Sequence, residues 1–147
     1  MSPAPGVRID GPDEAPEIMT EAAGLMPAVF MRSYPGTLLV TVFALGDDLL
    51  VLMTGGDRPH IGAAALASGE MKPAALCFPG HKDDIPAERI VRELSSVTSC
   101  RVAAVCGVHY DHFDGEVLKT FNASLDRAAA ELKEFVVSLE RYQSGRE

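Results

Sequence analysis

The sequence is short of cysteine, of clustered basic residues and of long apolar runs, and each shortage removes a class of protein. Its three cysteines, Cys77, Cys100 and Cys106, are an odd set with no CxxC spacing. Neither a disulfide framework nor a zinc knuckle fits that count, and reduced thiols in a cytoplasm are the simpler expectation. The 13 Lys and Arg residues form no run and face 21 acids, for a formal charge of −8. A polyanion needs a clustered basic surface, so nucleic acid is not expected as a partner, whereas a small anion held by two or three cations is compatible. The longest apolar region, residues 37–54, is broken by Gly46-Asp47-Asp48, which excludes a membrane span there and offers a hairpin instead. The opening residues carry acids among prolines, with no basic start and no apolar core, so no export signal is expected.

Several catalytic signatures are also missing. No G-x-G-x-x-G joins a strand to a helix, which excludes a dinucleotide fold, and no serine sits in a G-x-S-x-G elbow. Cys106 lies inside an apolar stretch, where burial raises a thiol's pKa and blunts it as a nucleophile.

What is present is one ordinary domain: 147 residues, 47% of them hydrophobic, are enough to bury a core without staples. Residues 1–35 read as an acidic, proline-rich arm with one short helix between Ile18 and Tyr34, and residues 36–147 as a single globular domain. "TLLVTVFAL" and "DLLVLMT" are aliphatic and β-branched strands joined through Gly46 and Asp47. "IGAAALA" is a third strand, although its alanines also tolerate a helix, and "AALCF" before Pro79-Gly80 is a fourth. "DIPAERIVRELSSV" has proline in its first turn and Ile90, Val91, Leu94 and Val97 at helical spacing. "RVAAVCGVHY" is a fifth strand, and a long helix follows from about Asp114. Its apolar seam runs Leu118, Phe121, Leu125, Ala128, Leu132, Phe135, Leu139 and Tyr142. The order ββββαβα predicts an α+β fold in which helices cover one face of a mainly antiparallel sheet. The seam is expected on that sheet, with dimerisation as a second use for it.

The polar residues concentrate in three segments that each follow a strand: "GGDRPH" at 55–60, "PGHKDD" at 79–84 and "HYDHFD" at 109–114. If the strands before them run in compatible directions, the three loops meet at one sheet edge and form one pocket. Gly55 and Gly56 suit a turn whose successive N–H groups cradle a phosphate or carboxylate, with Arg58 as a planar fork and Pro59 fixing His60. The plainer alternative is a tight turn in which Asp57 caps its own backbone and Arg58 points to solvent. His81 and Lys82 can meet the same anion, while Asp83 and Asp84 read as caps of the following helix. The alternation of His109, Asp111, His112 and Asp114 invites a metal, and a small metal-dependent hydrolase using His60, His109, Asp111 and His112 is one alternative function. No HExxH pair supports it, and the other reading is a polar loop in which His109 and Asp111 bond a ligand or each other. Tyr110 and Phe113 suit an aromatic wall, a core position or the surface.

Taken together, "TGGDRPHIGAAALA", "PGHKDD" and "GVHYD" resemble the small accessory D-subunit family of UbiD-type decarboxylases, the LpdD-like prenylated-flavin chaperones. The resemblance runs from about Leu38 into the C-terminal helix and leaves the N-terminal arm outside it. It implies a non-catalytic carrier that binds prenylated FMN, or FMN itself, made by a flavin prenyltransferase, and passes it to an apo UbiD-type decarboxylase. It also implies a homodimer. On that reading Gly55, Gly56, Arg58 and Lys82 serve the phosphate, His60, His81, His109 and Asp111 the ribityl chain or flavin edge, and Ala63 and Ala64 leave room for the ring, with Asp57 and Tyr110 beside them. A structural subunit that binds the decarboxylase through its long helix and holds no cofactor is a further alternative.

Overall fold

The computed structural model describes residues 28–144. The elements are β1 (Ala28–Tyr34), β2 (Leu38–Leu45), β3 (Asp48–Gly56), β4 (Ala63–Ser68), β5 (Met71–Cys77), α1 (Asp84–Ser95), β6 (Val102–His109) and α2 (Gly115–Ser144). The strands form one six-stranded sheet in the order β1-β2-β3-β6-β4-β5. Only the central β3–β6 pairing is parallel, running from Leu49 against Val102 to Gly56 against His109. The α+β class, the mainly antiparallel sheet and the five expected strands are all present.

The sixth strand is a correction. The short helix expected between Ile18 and Tyr34 is not found over residues 28–34, which form β1 and pair antiparallel with β2; the rest of that expectation lies outside the described residues. The sequence "AVFMRSY" has no clean alternation, because Val29, Phe30 and Met31 are consecutive apolar residues and Arg32 and Ser33 follow as a polar pair. Its strand character comes from its partner: Phe30 stands opposite Val42, and Tyr34 opposite Leu38. The far end of β1 is tied to α2 by Tyr34, whose hydroxyl donates to Glu131 at 2.7 Å, and by Arg32, 2.9 Å from the same carboxylate. A sheet edge supplied by tertiary contact in this way overrides weak local propensity.

Alternation decides which side of the sheet is buried. Val40, Val42, Val51, Met53, Ala65, Ala104 and Cys106 share one face and are almost wholly excluded from solvent. The registers place them side by side, with Met53 opposite Cys106 and Ala65 opposite Ala104. Both helices lie on this face. α1 buries Ile90, Val91 and Leu94, and α2 buries Leu125, Ala128, Ala129, Leu132 and Val136 in the same core. The helical seam thus packs on the sheet from Phe121 onward, where Phe135 meets Phe30 of β1 at 5.1 Å between ring centroids. Leu118 lies off the seam and is 44% exposed. The side chain of Tyr142 lies outside the described residues.

Among the described residues, no helix covers the opposite face. It carries Met31, Leu39, Leu52, Leu66, Val105 and Leu76 in successive strands, and Leu76 is 84% exposed. Scattered apolar residues are normal on a surface, but a contiguous set across most of a sheet is not.

Candidate functional site

The sheet topology brings the three polar segments together. β3 and β6 are parallel and end side by side, Gly56 opposite His109. β4 is antiparallel to β6 and begins at the same edge, with Ala63 opposite Cys106, and β5 ends there with Cys77 opposite Ala63. The segments after β3, β5 and β6 therefore emerge at one edge of the sheet.

The glycines at that edge allow close backbone approach. A Cβ on Gly55 would lie 2.0 Å from the carbonyl oxygen of Thr37, and one on Gly56 would lie 2.2 Å from that of His109. Gly56 also has a positive φ of 72°, a conformation that side chains disfavour. The amides from Gly56 to Arg58, expected to help cradle an anion, are occupied. Gly56 donates its N–H to Thr37 at 3.2 Å, and Asp57 and Arg58 donate theirs to the His109 carbonyl at 2.6 and 3.4 Å. The turn locks onto β6 rather than facing a ligand. Asp57 does not cap its own turn: its carboxylate accepts the N–H of Asp111 at 2.9 Å and braces two of the loops together.

The side chains of the same loops remain outward. Arg58 is paired with Asp111 at 3.1 Å, and His109 Nε2 is 3.3 Å from the same carboxylate oxygen. The Arg58 side chain is 72% exposed, so its pairing contributes only about 0–1 kcal/mol and yields readily to a competing anion. Lys82 is exposed beside them. Ile61, Phe78, Ile85 and Phe113 are each more than half exposed, so the rim sets apolar side chains beside Arg58, Lys82 and the acids Asp57 and Asp111. Ala64 faces the helix-free side of the sheet, level with Val105 and Leu76. Ala63 does not: it is 2% exposed and points toward α1, so it leaves no room for a ring.

Behind this rim the imidazole of His60 is held by design of the backbone. Gly107 lies against the carbonyl of His60, where a Cβ would come within 1.5 Å of it. His60 Nδ1 is 3.0 Å from the carbonyl oxygen of Arg58, which can only accept, so Nδ1 carries a proton. Its Nε2 lies 3.0 Å from His81 Nδ1, and Asp83 Oδ2 lies 3.3 Å from the former and 3.5 Å from the latter. His109 stands edge-on to His60 with ring centroids 6.3 Å apart.

Asp83 is the residue that sequence reasoning misplaced. It occupies the N-cap of α1 but makes no side-chain capping bond. Its carboxylate turns inward, 7% exposed, where Oδ1 accepts the N–H of Val108 at 3.0 Å and Oδ2 faces the two imidazoles. Gly62 makes that possible, since a Cβ there would sit 1.8 Å from Oδ2. A signal was present in the Asp83-Asp84 doublet, because one helix start needs only one capping acid. Among the described residues, His60, His81 and Asp83 are the group whose donor atoms converge as metal ligands would. The set His60, His109, Asp111 and His112 does not assemble: His112 is exposed, and Asp111 is engaged by Arg58 and His109. Asp114 accepts the N–H of Val117 and caps α2 instead.

Tyr110 turns away from this cluster. Its hydroxyl donates to the Thr37 carbonyl at 3.2 Å, and burial, helped by the charge of Asp57, raises its pKa. It lines a shallow cavity of about 200 Å³ with Gly36, Thr37, Glu116, Val117 and Thr120. Cys106 lies beneath the site, its thiol pushed far up by burial and then by the neighbouring Asp83, which suits it to packing rather than nucleophilic attack.

Comparison with known proteins accords with this arrangement. The chain is 30% identical over 70 residues to Protein LpdD of Lactiplantibacillus plantarum (strain ATCC BAA-793 / NCIMB 8826 / WCFS1), a match covering 44% of this chain. It spans about half, 52%, of the length of that relative. A chain from the crystal structure of a chaperone complex for yeast 20S proteasome assembly has the same fold, with a TM-score of 0.53 at 12% identity over 77% of this chain and 97% of that one. No described helix is long and apolar enough to cross a membrane. Residues 34–136, well over half of the sequence, match the family described as the prenylated flavin chaperone LpdD-like domain, and to that family the chain belongs.

Proposed function

We propose that this chain is a non-catalytic carrier that holds prenylated FMN at the edge formed by its three polar loops and delivers it to an apo UbiD-type decarboxylase. The observation that carries the reading is membership of a flavin-chaperone family together with the convergence of those loops. The residues present fit the group. A phosphate dianion suits Arg58 and Lys82, which lie outward and hold at most a weak exposed pairing. The flavin ring suits the exposed apolar side chains of Ile61 and Phe78. His60, His81 and His109 offer polar contacts between these two regions. The only chemistry the bound group supplies is that of the recipient enzyme; here the residues bind and orient it.

An open rim suits a carrier better than an enclosed site. The neighbouring cavity of about 200 Å³ is smaller than the roughly 300–1,000 Å³ of pockets that enclose a ligand. A ligand held at an exposed rim keeps a low barrier to transfer.

The helix-free sheet face is the surface on which we place a second copy of the chain. Strands about seven residues long at spacings of about 4.8 Å give a face of roughly 550 Å² across six strands. Two such faces remove roughly 1,100 Å² from water, just above the ~1,000 Å² that a specific interface needs. The strand interiors of β1–β4 and β6 present no charged side chain to this face, and Lys72 of the edge strand β5, in step with Ala74 and Leu76, lies at its margin.

The test is the absorbance spectrum and native mass of protein purified from cells with and without a co-expressed flavin prenyltransferase. A bound mass equal to prenylated FMN, present only with the prenyltransferase, is expected. Colourless, ligand-free protein from both sources would refute the carrier reading and favour a subunit that holds no cofactor.

A further inference from the structure

The geometry points to a divalent transition-metal site, best suited to Zn²⁺, formed by His60 Nε2, His81 Nδ1 and Asp83 Oδ2, with one coordination position open to solvent. The three separations are 3.0, 3.3 and 3.5 Å. Ligands at about 2.0–2.1 Å from a tetrahedral zinc lie about 3.3 Å from one another, so the triangle already has nearly the size of one face of that tetrahedron. Two imidazoles and a carboxylate are a donor set that such ions favour.

Proton placement strengthens the case. His60 Nδ1–H is directed to the Arg58 carbonyl, so in the neutral ring Nε2 is a lone pair aimed at Asp83 and His81. An imidazole lone pair and a carboxylate oxygen at 3.3 Å repel unless positive charge lies between them. A proton on His81 relieves one pair at a time, whereas a divalent cation satisfies all three atoms together. The outer partners are those that ligating groups commonly have: a backbone carbonyl on the far nitrogen of His60, and a backbone N–H on the second oxygen of Asp83. Gly62 and Gly107 keep the space that both arrangements require.

The site is accessible. The side chains of His60 and His81 are 24% and 36% exposed, while that of Asp83 is 7% exposed. The fourth position faces water from an anchored base, an arrangement that accepts an oxygen ligand from solution. The inference stands whether or not the chain carries a flavin.

It is tested by titrating Co²⁺, a spectroscopic stand-in for Zn²⁺, into tag-free, full-length protein stripped with chelator and free of flavin. One equivalent is expected to produce the intense visible bands of a tetrahedral ion, and Zn²⁺ is expected to displace it. His81→Ala, which removes a side chain about a third exposed, is expected to weaken binding by more than the 10–100-fold that loss of an outer partner costs. His60→Ala should act likewise, and Lys119→Ala, on the exposed side of α2, should leave the titration unchanged. Circular dichroism and urea midpoints establish that the variants remain folded. Absence of tetrahedral bands in the wild type, or equal binding by His81→Ala, would overturn the proposal and leave a proton-sharing His–His–Asp cluster in its place.

Discussion

Asp83 Oδ1 accepts the backbone N–H of Val108 at 3.0 Å, so an acid at the start of α1 fastens the end of β6 rather than its own helix. Asp83→Ala leaves that N–H without its partner in a half-buried position, at a cost of about 1–3 kcal/mol. Asp83→Asn retains an acceptor and is expected to cost less. Urea denaturation of the three proteins orders them, and equal midpoints for Ala and wild type would mean that water replaces the carboxylate without loss.

The glycines of the site differ in what a methyl group would strike. In Gly107→Ala the new Cβ meets the backbone of His60, which cannot rotate away, and a loss of about 2–4 kcal/mol is expected. In Gly62→Ala it meets the Asp83 side chain, which can move, so the loss is smaller and falls on the His60–His81–Asp83 geometry. Gly69→Ala has open space and should change stability by less than about 0.5 kcal/mol. Denaturation midpoints, with histidine proton spectra for Gly62→Ala, separate these outcomes.

Alkaline stability should report Tyr34. Burial, and then the hydrogen bond to Glu131, push its pKa from 10.0 up to about 12. The folded state therefore holds the phenolic proton more tightly than the unfolded chain. Its contribution is complete below pH 10 and is lost as pH rises toward 12. The total is on the order of 2–3 kcal/mol. In Tyr34→Phe, urea midpoints measured across this window should fall less steeply than in the wild type; parallel curves would show that other groups govern alkaline unfolding.

Pairing of the helix-free faces predicts that Leu76→Glu, alone or with Leu66→Glu, converts a dimer to a monomer by light scattering. Leu76 is 84% exposed in a single copy, so the charge does not disturb the subunit's own core. Leu118→Glu, on α2, should leave the mass unchanged. A wild-type monomer, or a dimer indifferent to Leu76→Glu, would remove the second copy from this face.

Much of this fold was legible because its signals are local. The Gly46-Asp47 turn and the helical spacing of Ile90, Val91 and Leu94 each act within a few residues, and each is found. β1 was not legible, since its apolar pattern becomes a strand only against β2. In the site, the meeting of the loops followed from strand directions, but the use of each polar group did not. Gly55 and Gly56 were read as donors to a ligand because sequence cannot show that Thr37 takes the amide of Gly56 and His109 those of Asp57 and Arg58. Asp83 was read as a cap because its partners Val108 and His60 are distant along the chain, and nothing local shows that its carboxylate turns toward them.

β6 is the last strand in the chain and the one that joins the sheet's two halves, with β1-β2-β3 on one side and β4-β5 on the other. During synthesis nothing joins the strands of these two halves until residues 102–109 leave the ribosome. Completion of the sheet is then a single late insertion that pairs two edges at once, and the same insertion brings His109 to Gly56 and Cys106 to Ala63. Chains arrested before residue 102 should thus be protease-sensitive throughout, and those released after β6 protected in both halves together.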